Sequence, residues 1–253
     1  MSQFFSEPQD MLRQFSRRFR FPSNYVTFDI ETTGFSNDDD WITEVGWAVV
    51  RNRRITDCQS LILDWTRRPE VNQQILRDKL ARLIRIFEEQ GRTYHVTYEK
   101  MRDEGVDPIE GLEVYVHLLE QAVRDKEFLV GHGAWRFDRR MLDSHCNEYL
   151  KSQIPWGETV LYDTGLTEKA AQLNLPPHAD ETLNDWFARI DRAGHRGAKW
   201  NLDGCAKKYS LTERFGADLT KAHGAAYDSQ LTYALFESFT QIAEILHGEV
   251  LSR

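Results

Sequence analysis

The sequence predicts an α/β fold, a mixed β-sheet flanked by helices. Three β-rich runs follow one another closely after residue 24. Two shorter apolar runs come later, between helical stretches, and a long helical pattern closes the chain. Strands first, then alternating helix and strand, set an antiparallel meander beside parallel strands.

In the first 23 residues, Arg13, Arg17, Arg18 and Arg20 cluster while Leu12, Phe15 and Phe19 fall near helical spacing. Residues 1–23 are expected as a basic, solvated extension tied down by a few aromatics, ahead of a domain over 24–250. A short amphipathic helix is the other reading. NYVTFDI (24–30), ITEVGWAVV (42–50) and ITDCQSLIL (55–63) are rich in β-branched and aromatic residues, and RNRR (51–54) supplies a short turn. They predict three antiparallel strands. Residues 71–104 read as helical and heavily charged. GLEVYVHLLEQAVRD (111–125) lines up Leu112, Tyr115, Val116, Leu119 and Val123 on one helical face. EFLVGH (127–132) and TVLYDT (159–164) read as strands, and residues 137–150 between them as a helix. The stretch 173–200 is irregular, with a helix over about 181–191 and then a loop. Leu231, Leu235, Phe239, Ile242 and Leu246 predict a last helix over 225–247.

The 253 residues, 41% hydrophobic and 28% charged, exclude disordered and collagenous classes. No apolar run approaches the roughly 18–20 residues of a membrane helix, and no secretory signal is recognised. Cys58, Cys146 and Cys205 are scattered, so no disulfide framework is implied and a reducing, cytoplasmic setting is expected. A net charge of −8 argues against coating nucleic acid by bulk charge. It leaves room for an enzyme that grips nucleic acid locally.

FDIETTG (28–34) ends the first strand with Asp29 and Glu31, whose i, i+2 spacing puts both carboxylates on one face. Such a pair is costly to bury unless a cation sits between, and oxygen donors suit Mg²⁺ or Mn²⁺. Taken alone, D-x-E is common on solvated strand faces. Asp138 begins a helix after a buried strand, which alone is the position of an acid that satisfies free amides. His223 stands five residues before Asp228, at the start of the last helix, which alone is a capping pair.

Together, these residues resemble the DEDDh family of 3′→5′ exonucleases, the DnaQ-like group of the RNase H-like superfamily. Asp29 and Glu31 match the family's first motif, Asp138 the second, and His223 with Asp228 the third, in chain order from about Tyr25 to Leu246. The sister group carries Tyr four residues before the last acid, where this chain has Gly224. Two departures stand out. In HGAWRFD (132–138), Gly133 replaces the usual Asn, and the motif is one residue longer than H-N-x-x-F-D. The stretch 173–200 is also longer than in compact proofreading subunits.

The resemblance implies an RNase H-like sheet and two Mg²⁺ ions, replaceable by Mn²⁺, held by Asp29, Glu31, Asp138 and Asp228. His223 is then the general base. Thr32, Thr33 and Gly34 are candidates to hold a terminal 3′-OH through backbone amides, and Phe35 either stacks on the last base or is ordinary core. His132 is a further substrate candidate. Arg192, Arg196, Lys199, Lys207 and Lys208 face only Asp203 between positions 192 and 208. They form either a phosphate-tracking patch, led by Arg196 and Lys199, or a solvated loop. The expected partner is a single-stranded 3′ end, DNA ahead of RNA, in repair or proofreading with a possible polymerase or replication partner and no membrane. The alternatives are a 3′→5′ exoribonuclease or oligoribonuclease, and an inactive nucleic-acid-binding module.

Overall fold

The computed structural model describes residues 6–194, 200–216 and 223–251. Its elements are α1 (Ser6–Arg18), β1 (Tyr25–Thr32), β2 (Ile42–Arg51), β3 (Arg54–Ile62), α2 (Gln73–Glu89), α3 (Tyr98–Glu104), α4 (Pro108–Arg124), β4 (Phe128–Gly131) and α5 (Asp138–His145). There follow β5 (Leu161–Asp163), α6 (Thr164–Leu173), α7 (Leu183–Arg192), α8 (Leu202–Lys208), α9 (Leu211–Phe215) and α10 (Ala225–Leu251). One five-stranded sheet runs in the order β3-β2-β1-β4-β5. β1–β3 form the expected antiparallel meander, and β4 and β5 add in parallel to β1. Asn52 and Arg53, at φ 50° and 62°, make the tight β2–β3 turn, whose left-handed backbone suits the twist of a two-residue hairpin.

Alternation along β1 separates two cores. Val26, Phe28 and Ile30 point to the side covered by α2–α5, with Trp65, Leu112, Tyr115 and Met141. Tyr25 points to the other side, with Tyr162, Phe187, Leu235 and Phe236. By the same period of two, Asp29 and Glu31 fall on the Tyr25 side, under α10. A side chain at Gly46 would lie 2.2 Å from the backbone of Ala225, so glycine lets the start of α10 rest directly on β2.

Several boundaries differ from those read in the sequence. Residues 6–23 are no solvated arm, since α1 buries Met11, Leu12 and Phe15 completely or nearly so. Phe15 packs on Phe19, Phe21, Tyr162 and Trp186. The amphipathic spacing was the informative feature there; Arg17, Arg18 and Arg20 are exposed, while Arg13 is half-buried. The charged stretch 71–104 is two helices. Gly91, at φ 69°, ends the first, and the Thr97 hydroxyl caps the second by accepting the Lys100 amide. β5 stops at Asp163, whose carboxylate accepts the Leu166 amide and opens α6. The Asp–Thr–Gly start hid that helix, because all three residues have weak helical propensity. Among the described residues no helix is long and apolar enough to cross a membrane. Cys58, Cys146 and Cys205 are free thiols.

Candidate active site

The carboxyl end of β1, the start of α5 and the start of α10 meet above the sheet. β1 contributes Asp29 and Glu31 with part of their surfaces open to solvent, whereas Asp138 is 3% exposed and Asp228 8%. Glu31, Asp228 and His223 each bring one ligand atom within 4.8 Å of the others. Asp138 belongs to the same field, since its charge is felt at both Asp29 and Glu31.

The electrostatics follow from crowding. Burial, then the charges of Asp228, Asp138, Glu31 and Glu44, pushes the Asp29 carboxyl well above the usual range. Burial also raises Glu31, with Asp228, Glu44 and Asp138 adding to it. Asp138 is raised by burial and by Asp163 and Asp228. Burial lifts Asp228 to about 7, with Glu44 adding and the His223 amide opposing. Acids so arranged favour any cation that enters. The residues fit divalent metal on that ground and on a second one, because Asp138 Oδ2 is buried with no hydrogen-bond partner. The donors are mainly carboxylate oxygens, as Mg²⁺ and Mn²⁺ prefer.

His223 lies in the left-handed region at φ 71°. Its amide donates to both Asp228 oxygens at 3.3 Å, and its ring meets Phe87 edge-on at 4.6 Å. Burial, then the charges of Arg92 and His95, pushes its imidazole down to about 4. It is therefore neutral at pH 7, with Nε2 buried and unpartnered. That is the proton-accepting form.

The other residues singled out in the sequence divide. Phe35 is 88% exposed, so it is not core; its ring lies 5.4 Å from that of Phe137. The Thr33 amide is already given to Trp41 O at 2.9 Å, leaving it unable to hold a substrate hydroxyl. Thr33 Oγ1 instead donates to Asp40 at 2.9 Å, and Thr32 Oγ1 donates to Gly34 O at 2.6 Å. A side chain at Gly34 would lie 2.5 Å from Asp40, so glycine is what lets this turn close. His132 has both ring nitrogens engaged, with Thr164 Oγ1 at 2.9 Å and Trp200 O at 2.7 Å. It fastens the β4–α5 turn and has no nitrogen left for substrate. Lys208 is paired with the fully buried Glu168 at 2.5 Å, which removes it from the basic patch. Arg196 and Lys199 lie outside the described residues.

Sequence reasoning missed four contributors. Glu44 stands directly opposite Glu31 in the β1–β2 register and accepts from Ala225 N at 3.1 Å. His95 reaches Glu44 at 2.9 Å. Asp163 accepts the Gly133 and Trp135 amides at 3.1 and 2.9 Å, shaping the lengthened turn that delivers Asp138. Tyr115 donates to the Asp29 and Gly46 carbonyls at 3.2 and 3.3 Å. ITEVG displayed an acid inside an apolar strand, which was the one readable signal among them.

These shifts give a pH dependence. A carboxyl raised in the folded state stabilises fully below its unfolded value, and the benefit is lost as pH rises through the folded one. His223 and His145, both pushed to about 4 chiefly by burial, work oppositely between about pH 4 and 6.5. Above that window the histidines are neutral in both states and the acids alone remain. The melting temperature of metal-free protein is therefore expected to fall from about pH 6.5 to 8.5, with Mn²⁺ reducing the fall. Calorimetry at fixed ionic strength checks this, and a level or rising metal-free curve would contradict the repulsion.

No protein-family model matches the sequence, and no curated protein does. Solved structures do match in fold. E. coli exonuclease I in complex with a dA16 oligonucleotide superposes with TM-score 0.56 at 15% identity, over 89% of this chain and 43% of that one. Its complex with dT13 gives 0.58 at 13%, over 91% and 44%. The zinc-bound form of its ssDNA complex gives 0.57 at 14%, over 90% and 43%. The chain thus shares the fold of E. coli exonuclease I and spans less than half the length of those proteins.

Proposed function

We propose that the chain is a DEDDh-type 3′→5′ exonuclease that releases nucleoside 5′-monophosphates from single-stranded or frayed DNA ends. The observation that carries this reading is the meeting of four carboxylates from three separate segments beside a histidine whose Nδ1 lies 4.0 Å from Asp228 Oδ2. The fold supports it, and E. coli exonuclease I binding dA16 and dT13 favours DNA.

Asp29, Glu31 and Asp228 would hold one divalent ion, and Asp138 with Asp29 a second. When bound, such ions make the attacking water more acidic and offset charge on the leaving 3′ oxygen. The protein does the rest. Neutral His223 takes the proton from the attacking water at Nδ1, the ring nitrogen 4.0 Å from Asp228 Oδ2, a general-base role that contributes roughly 10²–10⁴ in rate. The Thr32–Gly34 turn sets Phe35 at the mouth, where its exposed ring stacks on the terminal base. Stacking reads a π-face rather than base edges, so sequence preference is weak. A chain of net charge −8 repels a long polyanion at range, so delivery by a replication or polymerase partner belongs to the same proposal. One E. coli exonuclease I structure is a complex with SSB-Ct, at TM-score 0.53 and 13% identity over 90% of this chain and 44% of that one.

The test is a set of 5′-labelled single-stranded DNA, duplex DNA and RNA, each with Mg²⁺ and with EDTA. Stepwise shortening of DNA from the 3′ end, abolished by EDTA, is expected. Faster loss of RNA would move the assignment to an exoribonuclease, and binding without cleavage would leave a binding module.

A further inference from the structure

His223 is a non-glycine residue in the left-handed region, a strained conformation that persists only where the surroundings impose it. The turn that carries it is gripped from two sides. Below, Gly46 admits the backbone of Ala225 and Ala226. Beside it, the ring of His95 is packed so close that a side chain at Gly224 would lie 2.9 Å from Cε1. Glu44, 4% exposed, accepts both the Ala225 amide and His95 Nε2 on one oxygen, at 3.1 and 2.9 Å. Ala225 N can only donate, and a carboxylate oxygen shared with it calls for a second donor, so the proton of His95 sits on Nε2. His95 is itself held by buried neighbours, Tyr94 and Val96, with Tyr94 Oη hydrogen-bonded to Thr43 Oγ1 at 2.8 Å.

We infer that His95 is a positioning residue for His223: its hydrogen bond to Glu44 and its ring against Gly224 lock the 223–225 turn so that the His223 imidazole faces the carboxylates. The inference deepens the nuclease reading and rests on it for its kinetic consequence, but the geometry can be tested without turnover. The His223 ring lies perpendicular to Phe87 at 4.6 Å, so its Cε1–H resonance carries a ring-current shift. A Phe87→Leu protein gives the unshifted position.

The experiment compares full-length His95→Leu, which keeps bulk and lacks the donor, with His95→Gln, which keeps an N–H for Glu44. In His95→Leu the His223 resonance should move toward its Phe87→Leu position. In His95→Gln it should stay near wild type. Turnover should fall about tenfold or more in His95→Leu with KM little changed. Placed on His223→Ala, the same change should add less than about twofold, because both substitutions remove one function. An unmoved resonance in His95→Leu, equal displacement in His95→Gln, or effects that multiply in the double variant would each overturn the inference. If the wild type hydrolyses nothing, the nuclease reading fails, and the resonances alone still decide whether His95 positions His223.

Discussion

Asp29→Asn should abolish hydrolysis and, in metal-free protein, leave the melting temperature unchanged or higher. Asn keeps the shape of Asp, and the hydrogen bond from Tyr115 goes to the residue 29 carbonyl, not to its side chain. What disappears is a charge facing Asp228, Asp138, Glu31 and Glu44. That charge is a liability when no cation is present. Each kcal/mol of relieved repulsion corresponds to about 2–4 °C for a chain of this size. The gain should be largest above neutral pH, where the other acids are ionised. With Mn²⁺ the order should reverse. A ligand at about a hundred times its Kd stabilises the folded state by about 2.7 kcal/mol, and Asp29→Asn should forfeit most of that. Two measurements suffice: shortening of labelled single-stranded DNA, and melting with and without Mn²⁺. Turnover above a few per cent of wild type, or undiminished stabilisation by Mn²⁺, would remove Asp29 from the centre of the site.

The acids of this site were readable because each sits where local sequence fixes direction. An i, i+2 pair in a strand must share a face, and an acid that opens a helix must sit at its amino end. Their partners were not readable, because they depend on what the strands and helices meet. Glu44 faces Glu31 only through the β1–β2 register, which shifts between Glu31 and Thr32. Gly46 is explained only once α10, some 180 residues later, is seen to rest on it. His95 was hidden by reading 71–104 as helical throughout, although the Gly91 break puts it on an extended link into the site. Asp163 was hidden by running a strand through Thr164, one residue past its end. The arginines of 1–23 suggested a solvated arm, while Met11, Leu12 and Phe15 held the decisive information about burial. Charge is visible in a sequence before its neighbours are, and neighbours decide what a charge does.

His223→Ala should lower kcat by roughly 10²–10⁴, the usual contribution of a positioned general base, while leaving Mn²⁺ affinity near wild type. The imidazole is neutral at pH 7, pushed to about 4 by burial and by Arg92 and His95. Its Nδ1 lies 4.0 Å from Asp228 Oδ2, on the side of the carboxylates, while Nε2 is buried without a partner. Backbone strain has to be separated from chemistry, because φ at this position is 71° and alanine tolerates that region poorly. His223→Asn supplies the control, since asparagine enters the left-handed region readily and is no base. Equal losses in the two variants would assign the deficit to the missing proton acceptor, and recovery in His223→Asn would assign it to the turn. Calorimetric Mn²⁺ titration separates the remaining possibility. Glu31, Asp228 and His223 place ligand atoms within 4.8 Å of one another, an arrangement in which an imidazole can itself hold metal. If Mn²⁺ binding collapses together with turnover, His223 is a ligand, and the base must be sought elsewhere.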